Sequence, residues 1–388
     1  MKYIPRTLTG PLRRAARHFP ALLVTGPRRS GKTTLLKGCF PKASYYLLED
    51  PDVVALVRRD PRSFLERLKI PVILDEIQNI PELFNYIRTL IDTTPQKSGQ
   101  WLFTGSQEAP LMRGVTESMA GRMAIFQLLP LSLQETRRVS MIGGGFPEAI
   151  SRPAQDAELW FRSYIQTYIE RDVRAVSSIR DLGTFRRFLM FLASRIGQTV
   201  NRSEIAAPLG VSVPTISEWI NILEVTHQIL LIPPYYENFG KRITKSPKLY
   251  FVDSGLACHL LGIESEKQLL ASVFLGPVFE NFIASEIVKR QLNAGRRREI
   301  YYYRDQQGRE VDFLIPAGGE NLIALEIKAS RTVRPGDAEV LRQFSKHARK
   351  YRVRAFVIHW PSRAQTQTSA ITPGVRAISF EELDSIFS

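Results

Sequence analysis

The sequence predicts an α/β protein built from three consecutive modules, on three observations. Short apolar runs alternate with helical patterns at both ends of the chain. Two helix-forming stretches joined by a compact turn lie between them. The length of 388 residues also exceeds what one simple domain needs. Parallel neighbours cannot be joined by hairpins, so the alternation reads as parallel strands with crossover helices. A hydrophobic share of 44% and a charged share of 23% exclude a disordered or fibrous chain. The expected modules are residues 1–150, 151–265 and 266–388, with the first boundary at the loop Gly143-Gly144-Gly145-Phe146-Pro147.

In the first module, Ala21–Thr25, Tyr45–Leu48, Val72–Leu74, Trp101–Phe103 and Ala124–Leu129 read as strands, with helices from Lys32 and through Leu68. The first strand runs into Gly26-Pro27-Arg28-Arg29-Ser30-Gly31-Lys32-Thr33-Thr34, which fits the phosphate-binding loop and stands where that loop must, between a strand and a helix. Its glycines let the backbone wrap phosphates, amide N–H groups at the helix start donate to them, Lys32 reaches the β- and γ-phosphates, and Thr33 binds magnesium. The ligand is therefore a nucleoside triphosphate, expected to be ATP with Mg2+. About 40 residues on, Val72-Ile73-Leu74 ends in Asp75-Glu76. Asp75 suits the magnesium shell and Glu76 the polarisation of an attacking water. Alone, such a pair could equally cap a helix. Ser106 and Gln107, after Trp101–Gly105, suit γ-phosphate sensing or helix capping, and Arg113 and Arg122 are candidates for stabilising transferred charge.

The middle module opens with a helical stretch at 156–178, followed by helices at 185–196, 203–209 and 213–224. The strand-like runs Leu230–Tyr236 and Lys248–Val252 flank a basic turn, which makes a helix-turn-helix followed by a wing. Ser212, Thr215, Ser217 and Glu218 stand near the start of the second helix, while Lys241, Arg242, Lys245 and Lys248 of the wing would meet phosphates without reading bases. Nucleic-acid contact and a packing or oligomerisation role are both open to such a module.

The last module reads as a helix at 278–292, strands at 299–303, 311–315 and 322–327, a helix at 335–350 and a strand at 354–359. Glu280, Asp312, Glu326 and Lys328 lie on the helix and two strands, and strand alternation puts Glu326 and Lys328 on one face with Ile327 on the other. Three carboxylates suit Mg2+ or Mn2+, and a lysine beside them suits the charged transition state of phosphodiester cleavage. Lys289, Arg290, Arg296, Arg297, Arg298, Arg304 and Arg309 adjoin this set.

The net charge of +15 makes an anionic partner plausible, DNA first and RNA not excluded. Cys39 and Cys258 are the only cysteines, too few for a disulfide framework, and the start of the chain carries no apolar core of a signal peptide. A cytoplasmic protein with no membrane partner is the expectation.

Taken together, these motifs resemble a family of bacterial and archaeal AAA-like ATPases with a carboxy-terminal PD-(D/E)xK nuclease-like domain. The resemblance includes Ile4-Pro5-Arg6, the loop 26–34, Leu74-Asp75-Glu76-Ile77-Gln78, Thr104-Gly105-Ser106 and Ala120-Gly121-Arg122. It continues through Gly145-Phe146-Pro147-Glu148, the run 168–173 and the run 251–256. It closes with Gly276-Pro277-Val278-Phe279-Glu280-Asn281, Glu310-Val311-Asp312-Phe313 and Glu326-Ile327-Lys328. It implies an AAA-like ATPase core, a winged-helix middle and a restriction-endonuclease-like end, with Arg122 as the nucleotide-sensing arginine, within its own chain or on a neighbour in a homo-oligomer. The function expected is ATP-driven processing of nucleic acid with a metal-dependent nuclease site. The competing expectation is an ATP-dependent binding switch or scaffold whose nuclease-like domain does not cut.

Overall fold

Five parallel strands form the first sheet: β1 (Ala21–Thr25), β2 (Ser44–Leu47), β3 (Val72–Asp75), β4 (Trp101–Gly105) and β5 (Met123–Gln127), in the order β2-β3-β4-β1-β5. The computed structural model describes residues 3–93, 97–106, 119–169, 181–235, 246–361 and 370–387. The central strands β1, β3 and β4 are buried along their whole length, which is why they read as unbroken apolar runs. Helices α1 (Thr9–Ala15), α2 (Lys32–Cys39), α3 (Pro51–Arg59), α4 (Pro61–Glu66) and α5 (Leu83–Thr93) surround the sheet. Asp50 and Asp60 cap α3 and α4, each with proline at the first helical position. Buried Leu83, Phe84, Ile87 and Ile91 form the inner stripe of α5.

The middle of the chain is helical. Helices α6 (Pro147–Ile150) and α7 (Ala154–Tyr164) are followed by one wide π turn at Ile165–Ile169, then α8 (Leu182–Ala193), α9 (Arg202–Leu209) and α10 (Val213–Val225). The expected continuation to residue 178 lies outside the described residues. Asn201 caps α9, Gly210 ends it at φ +66°, and Ser212 caps α10. Ile216, Trp219, Ile220 and Leu223 then bury one face of α10. Two antiparallel strands follow, β6 (Ile229–Ile232) and β7 (Lys248–Phe251), then α11 (Ser254–Leu260), capped by Asp253, and α12 (Glu266–Leu270).

The last sheet is mixed, in the order β12-β13-β11-β10-β9-β8, from β8 (Tyr301–Arg304), β9 (Glu310–Pro316), β10 (Asn321–Lys328), β11 (Arg352–His359), β12 (Ala370–Thr372) and β13 (Val375–Ser379). Along β10, Ile323, Leu325 and Ile327 join the core shared with α13 (Leu275–Asn293), and Leu322 and Ala324 join the core of α14 (Glu339–His347) on the other face. The sequence reading missed β12, a short strand at the sheet edge, and β13 beside it, both of mixed burial. The helix expected at 335–350 is divided, because Pro335-Gly336 start a 3-10 turn to Ala338 before α14 begins.

Helix α13 joins all three regions. Its Asn281 amide accepts from the Phe251 N–H (2.6 Å) and donates to the Phe251 carbonyl (3.2 Å), and Ser285 donates to the Val252 carbonyl (2.6 Å). Toward the first module, Glu286 accepts from the Leu133 N–H (2.7 Å), and Lys289 donates to the Leu131 carbonyl (3.1 Å) and to Glu286 (2.9 Å). The β6–β7 pair also meets β8. Tyr235 N–H donates to the Tyr302 carbonyl (2.7 Å), Tyr302 N–H to the Pro233 carbonyl (3.1 Å) and Tyr302 Oη to the Ser246 carbonyl (2.8 Å). Lys248 of the wing was expected to meet phosphates, but it is buried, with only 3% exposed. Lys241, Arg242 and Lys245 lie outside the described residues.

His227, where α10 turns into β6, is buried with a backbone φ of +56°. Burial, reinforced by Lys32 and Arg298, pushes its pKa down to about 3 from an ordinary 6.5. Between those values the unfolded chain holds a proton that the folded chain refuses, so stability falls as pH drops from 6.5 toward 3, by up to about 1.4 kcal/mol per pH unit. Asparagine tolerates positive φ. Urea unfolding from pH 7 to pH 4 is therefore expected to show a shallower acid loss for His227→Asn than for wild type, and equal slopes would exclude this assignment.

Candidate functional site

The turn after β1 carries the phosphate-binding loop at the carboxyl edge of the parallel sheet, where ligands of open α/β folds bind. Gly26 stands at φ +142°, and a Cβ there would lie 2.2 Å from the Leu128 carbonyl oxygen, so the loop requires glycine. Gly31, at φ +97°, opens α2 and turns its amide ends toward the loop. Lys32 is buried, and its Nζ donates to the carbonyls of Gly26 (3.0 Å) and Pro27 (2.9 Å), crossing the loop it is meant to serve. Arg28, Arg29, Ser30, Gly31, Lys32, Thr33 and Thr34 line a cavity of about 660 Å³ together with Glu76 and Glu148.

Thr33 Oγ1 donates to the Asp75 carboxylate, 2.9–3.0 Å from its two oxygens, and Thr104 and Tyr45 (2.8 Å) donate to the same group. Glu76, at φ +57°, accepts from Ser106 Oγ (2.9 Å) and from the Gln78 amide. Burial raises the Glu76 carboxyl, but Lys32, the Gln78 bond and Arg28 outweigh it and hold the group below the usual range, so it is ionised at neutral pH. Ser106 thus stands on Glu76. Gln107 and Arg113 lie outside the described residues. The loop fits a triphosphate with magnesium on observations of its own. Ser30 Oγ is buried with no hydrogen-bond partner among the described residues, and the Thr33 hydroxyl and Asp75 carboxylate that would share the ion already stand together.

Arg122 is the exception among the expected residues. Its carbonyl accepts from Ala21 N–H, so it sits beside the start of β1, at the sheet edge opposite the loop, where its guanidinium forms a two-pronged ion pair with Asp92 (2.7 and 3.0 Å). It does not line the cavity of its own chain. Three residues to which sequence reasoning assigned no role are at work near the loop. Arg6 donates to the carbonyls of Ser30 (2.8 Å) and Leu129 (2.7 Å) and pairs with Glu135 (2.9 Å), with both side chains buried. Glu148 accepts from Arg29 (3.0 Å) and from the Trp160 indole (3.1 Å), and Tyr164 donates to the Arg28 carbonyl (3.3 Å). Spacing cannot reveal such pairs, because Arg6 and Glu135 lie 129 positions apart.

In the last module, Glu326 pairs with Lys328 (2.7 Å), as strand alternation predicts, and its Oε2 is buried with no hydrogen-bond partner among the described residues. The β9–β10 ladder stops at Leu325–Phe313, and beyond it the Asp312 carboxylate accepts from the Ile327 N–H (2.7 Å). Burial, then Glu280 and Glu326, push Asp312 well above the usual carboxylate range, and burial raises Glu326 as well. Glu280 is occupied by the chain itself. Lys248 Nζ (3.2 Å) and Tyr250 Oη (2.5 Å) both donate to its Oε1. Among the described residues no group of three His, Cys, Asp or Glu side chains is disposed to hold a metal ion. Glu280, Asp312 and Glu326 therefore lie near one another without forming the expected Mg2+ or Mn2+ ligand set.

Comparisons with known proteins agree with the first of these sites. The AAA domain family matches residues 18–137, and two domains of unknown function, DUF8612 and DUF4143, match residues 134–267 and 275–379. The chain is 32% identical over 328 residues to the uncharacterized proteins Rv2008c of Mycobacterium tuberculosis and Mb2031c of Mycobacterium bovis, over 83% of this chain and 73% of theirs. An uncharacterized protein of Haemophilus influenzae is 25% identical over 62% of this chain and 69% of its own. Among solved structures, a Walker-type ATPase of Pyrococcus abyssi aligns over 65% of this chain and 94% of its own, at 14% identity and a TM-score of 0.42. The RuvB Holliday junction branch migration motor of Thermotoga maritima aligns over 58% and 89%, at 16% identity and a TM-score of 0.32. Among the described residues, no helix is long and apolar enough to cross a membrane.

The position of Arg122 yields a test. Arg122→Ala is expected to leave ATP affinity within about twofold in a fluorescent-nucleotide titration of dilute protein. A tenfold loss, about 1.4 kcal/mol, would place the guanidinium at the nucleotide of its own chain.

Proposed function

The chain belongs to the same family as the mycobacterial proteins Rv2008c and Mb2031c and carries an AAA-type ATPase domain, and from that premise we propose that it binds ATP with magnesium and hydrolyses it to control how its middle and last modules hold DNA. The observation that carries the catalytic part is the adjacency of Lys32, Thr33 and an ionised Glu76 at one cavity, with Asp75 bonded to Thr33 behind it. The Gly26–Thr34 backbone cradles the phosphates, and Lys32 leaves the Gly26 and Pro27 carbonyls for the β- and γ-phosphate oxygens. Thr33 and Asp75 hold the metal, which when bound offsets the charge of the β- and γ-phosphates. Glu76 Oε2, oriented by Ser106 and Gln78, accepts a proton from the attacking water. Arg122, remote from the nucleotide of its own chain, is left to act on a neighbouring copy.

The DNA part is supported by the net charge of +15 and by the exposed run Arg296, Arg297 and Arg298, which lines a cavity of about 500 Å³ beside the end of α10. The exposed start of α10, at Ser212 and Glu218, suits docking more than base reading. For the last module we favour the non-cleaving reading, because Lys248 and Tyr250 already occupy Glu280.

Lys32→Ala is expected to lower ATP turnover at least about 100-fold, whereas Glu76→Gln should retain ATP binding and lose turnover. Unchanged hydrolysis in Lys32→Ala would reject the loop assignment. DNA affinity should fall as salt rises, and linear and branched DNA should survive incubation with Mg2+ or Mn2+. Cleavage by wild type that Glu326→Gln abolishes would overturn the non-cleaving reading.

A further inference from the structure

Lys248 belongs to the middle of the chain, yet its charge resides in the last module. The β7 backbone holds it in place. Lys248 pairs with Ile232 in the β6–β7 ladder and bridges to Thr199, while Leu249 N–H donates to the Gln198 carbonyl (3.0 Å) and Gly197 N–H to the Leu249 carbonyl (2.8 Å). Strand alternation puts Lys248 and Tyr250 on one face, and both side chains end on Glu280 of α13. Lys248 Nζ also pairs with Glu310 of β9 and lies 5.6 Å from the centre of the Tyr302 ring. An ammonium only 3% exposed would be costly to bury without such partners.

Opposite it stand carboxylates that need a cation. Asp312 and Glu326 lie beside Glu280 and Glu310, and the Lys328 ammonium meets only one oxygen of Glu326, whose other oxygen is buried with no hydrogen-bond partner among the described residues.

We propose that Lys248 is the resident cation of this carboxylate pocket: an ammonium carried in by the neighbouring hairpin stands where a divalent metal would otherwise be recruited, and pins that hairpin to the last module. The pocket is thereby metal-independent and serves cohesion between modules. The expectation that metal enters once the lysine is removed rests on reading the last module as nuclease-like, whereas the wild-type arm of the test does not.

The test is a Mn2+ titration of the full-length protein without nucleotide, followed by electron paramagnetic resonance, on wild type, Glu326→Gln, Lys248→Met, Lys248→Arg and the double variant Lys248→Met/Glu326→Gln. Wild type, Glu326→Gln and Lys248→Arg should bind Mn2+ equally. Lys248→Met should gain one site at least tenfold tighter, lost again in the double variant, and Mn2+ should raise its melting temperature by several degrees with no effect on wild type. A wild-type Mn2+ site that Glu326→Gln removes would overturn the proposal even if Lys248→Met fails to fold. So would a Lys248→Met protein that retains its ATP affinity and gains no site. Loss of ATP hydrolysis in the Lys32 variant bears on the other proposal and leaves this one intact.

Discussion

A polar group taken out of water must find a partner, and helix α13 imposes that requirement on the whole molecule. It is buried nearly all round, yet it carries Asn281, Ser285, Glu286 and Lys289 into the interior and Glu280 to its half-buried margin. They reach two segments: β7 and the residue after it for Glu280, Asn281 and Ser285, and the loop at Leu131 and Leu133 for Glu286 and Lys289. The helix cannot shift without stranding several buried groups, and its core takes in the segment after β5, the helical middle and one face of the last sheet.

The nucleotide cavity rests on the same kind of long-range satisfaction. Arg6 ties the Ser30 carbonyl to the Leu129 carbonyl, and Tyr164 links the Arg28 carbonyl to Gln228, whose amide donates to the tyrosine hydroxyl (3.2 Å). The phosphate-binding loop is thus braced from the start of the chain and from the end of α10. A change in loop geometry on nucleotide binding would be felt first at those two braces, which gives the middle module a direct physical connection to the ATPase site.

Much of the architecture was legible from periodicity. The buried strands of the first sheet are continuous apolar runs, and the spacing of Ile216, Trp219 and Leu223 marks the inner face of α10. Glu326, Ile327 and Lys328 lie as strand alternation requires, with Lys328 on Glu326 and Ile327 in the core. The edge strand β12 and its neighbour β13 were not legible, because a partly exposed strand carries little apolar signal. The location of Arg122 was not legible for another reason: a motif names a residue type, and the end of the sheet on which it lands is set by the strand it precedes.

The local chemistry was in the residues themselves. Gly26 through Thr33 must form their loop because positive φ and the helix start belong to that short segment, and Asp75 and Glu76 follow a strand that can lie only in the same sheet. The fate of the carboxylates in the last module was settled at long range. Whether Glu280 faces a metal or an ammonium turns on the approach of Lys248 from 32 positions away, and such an approach is set by the packing of a hairpin against a helix. No periodicity records it, because a lysine bound for solvent and a lysine bound for a half-buried carboxylate look alike in the chain until the fold closes around them.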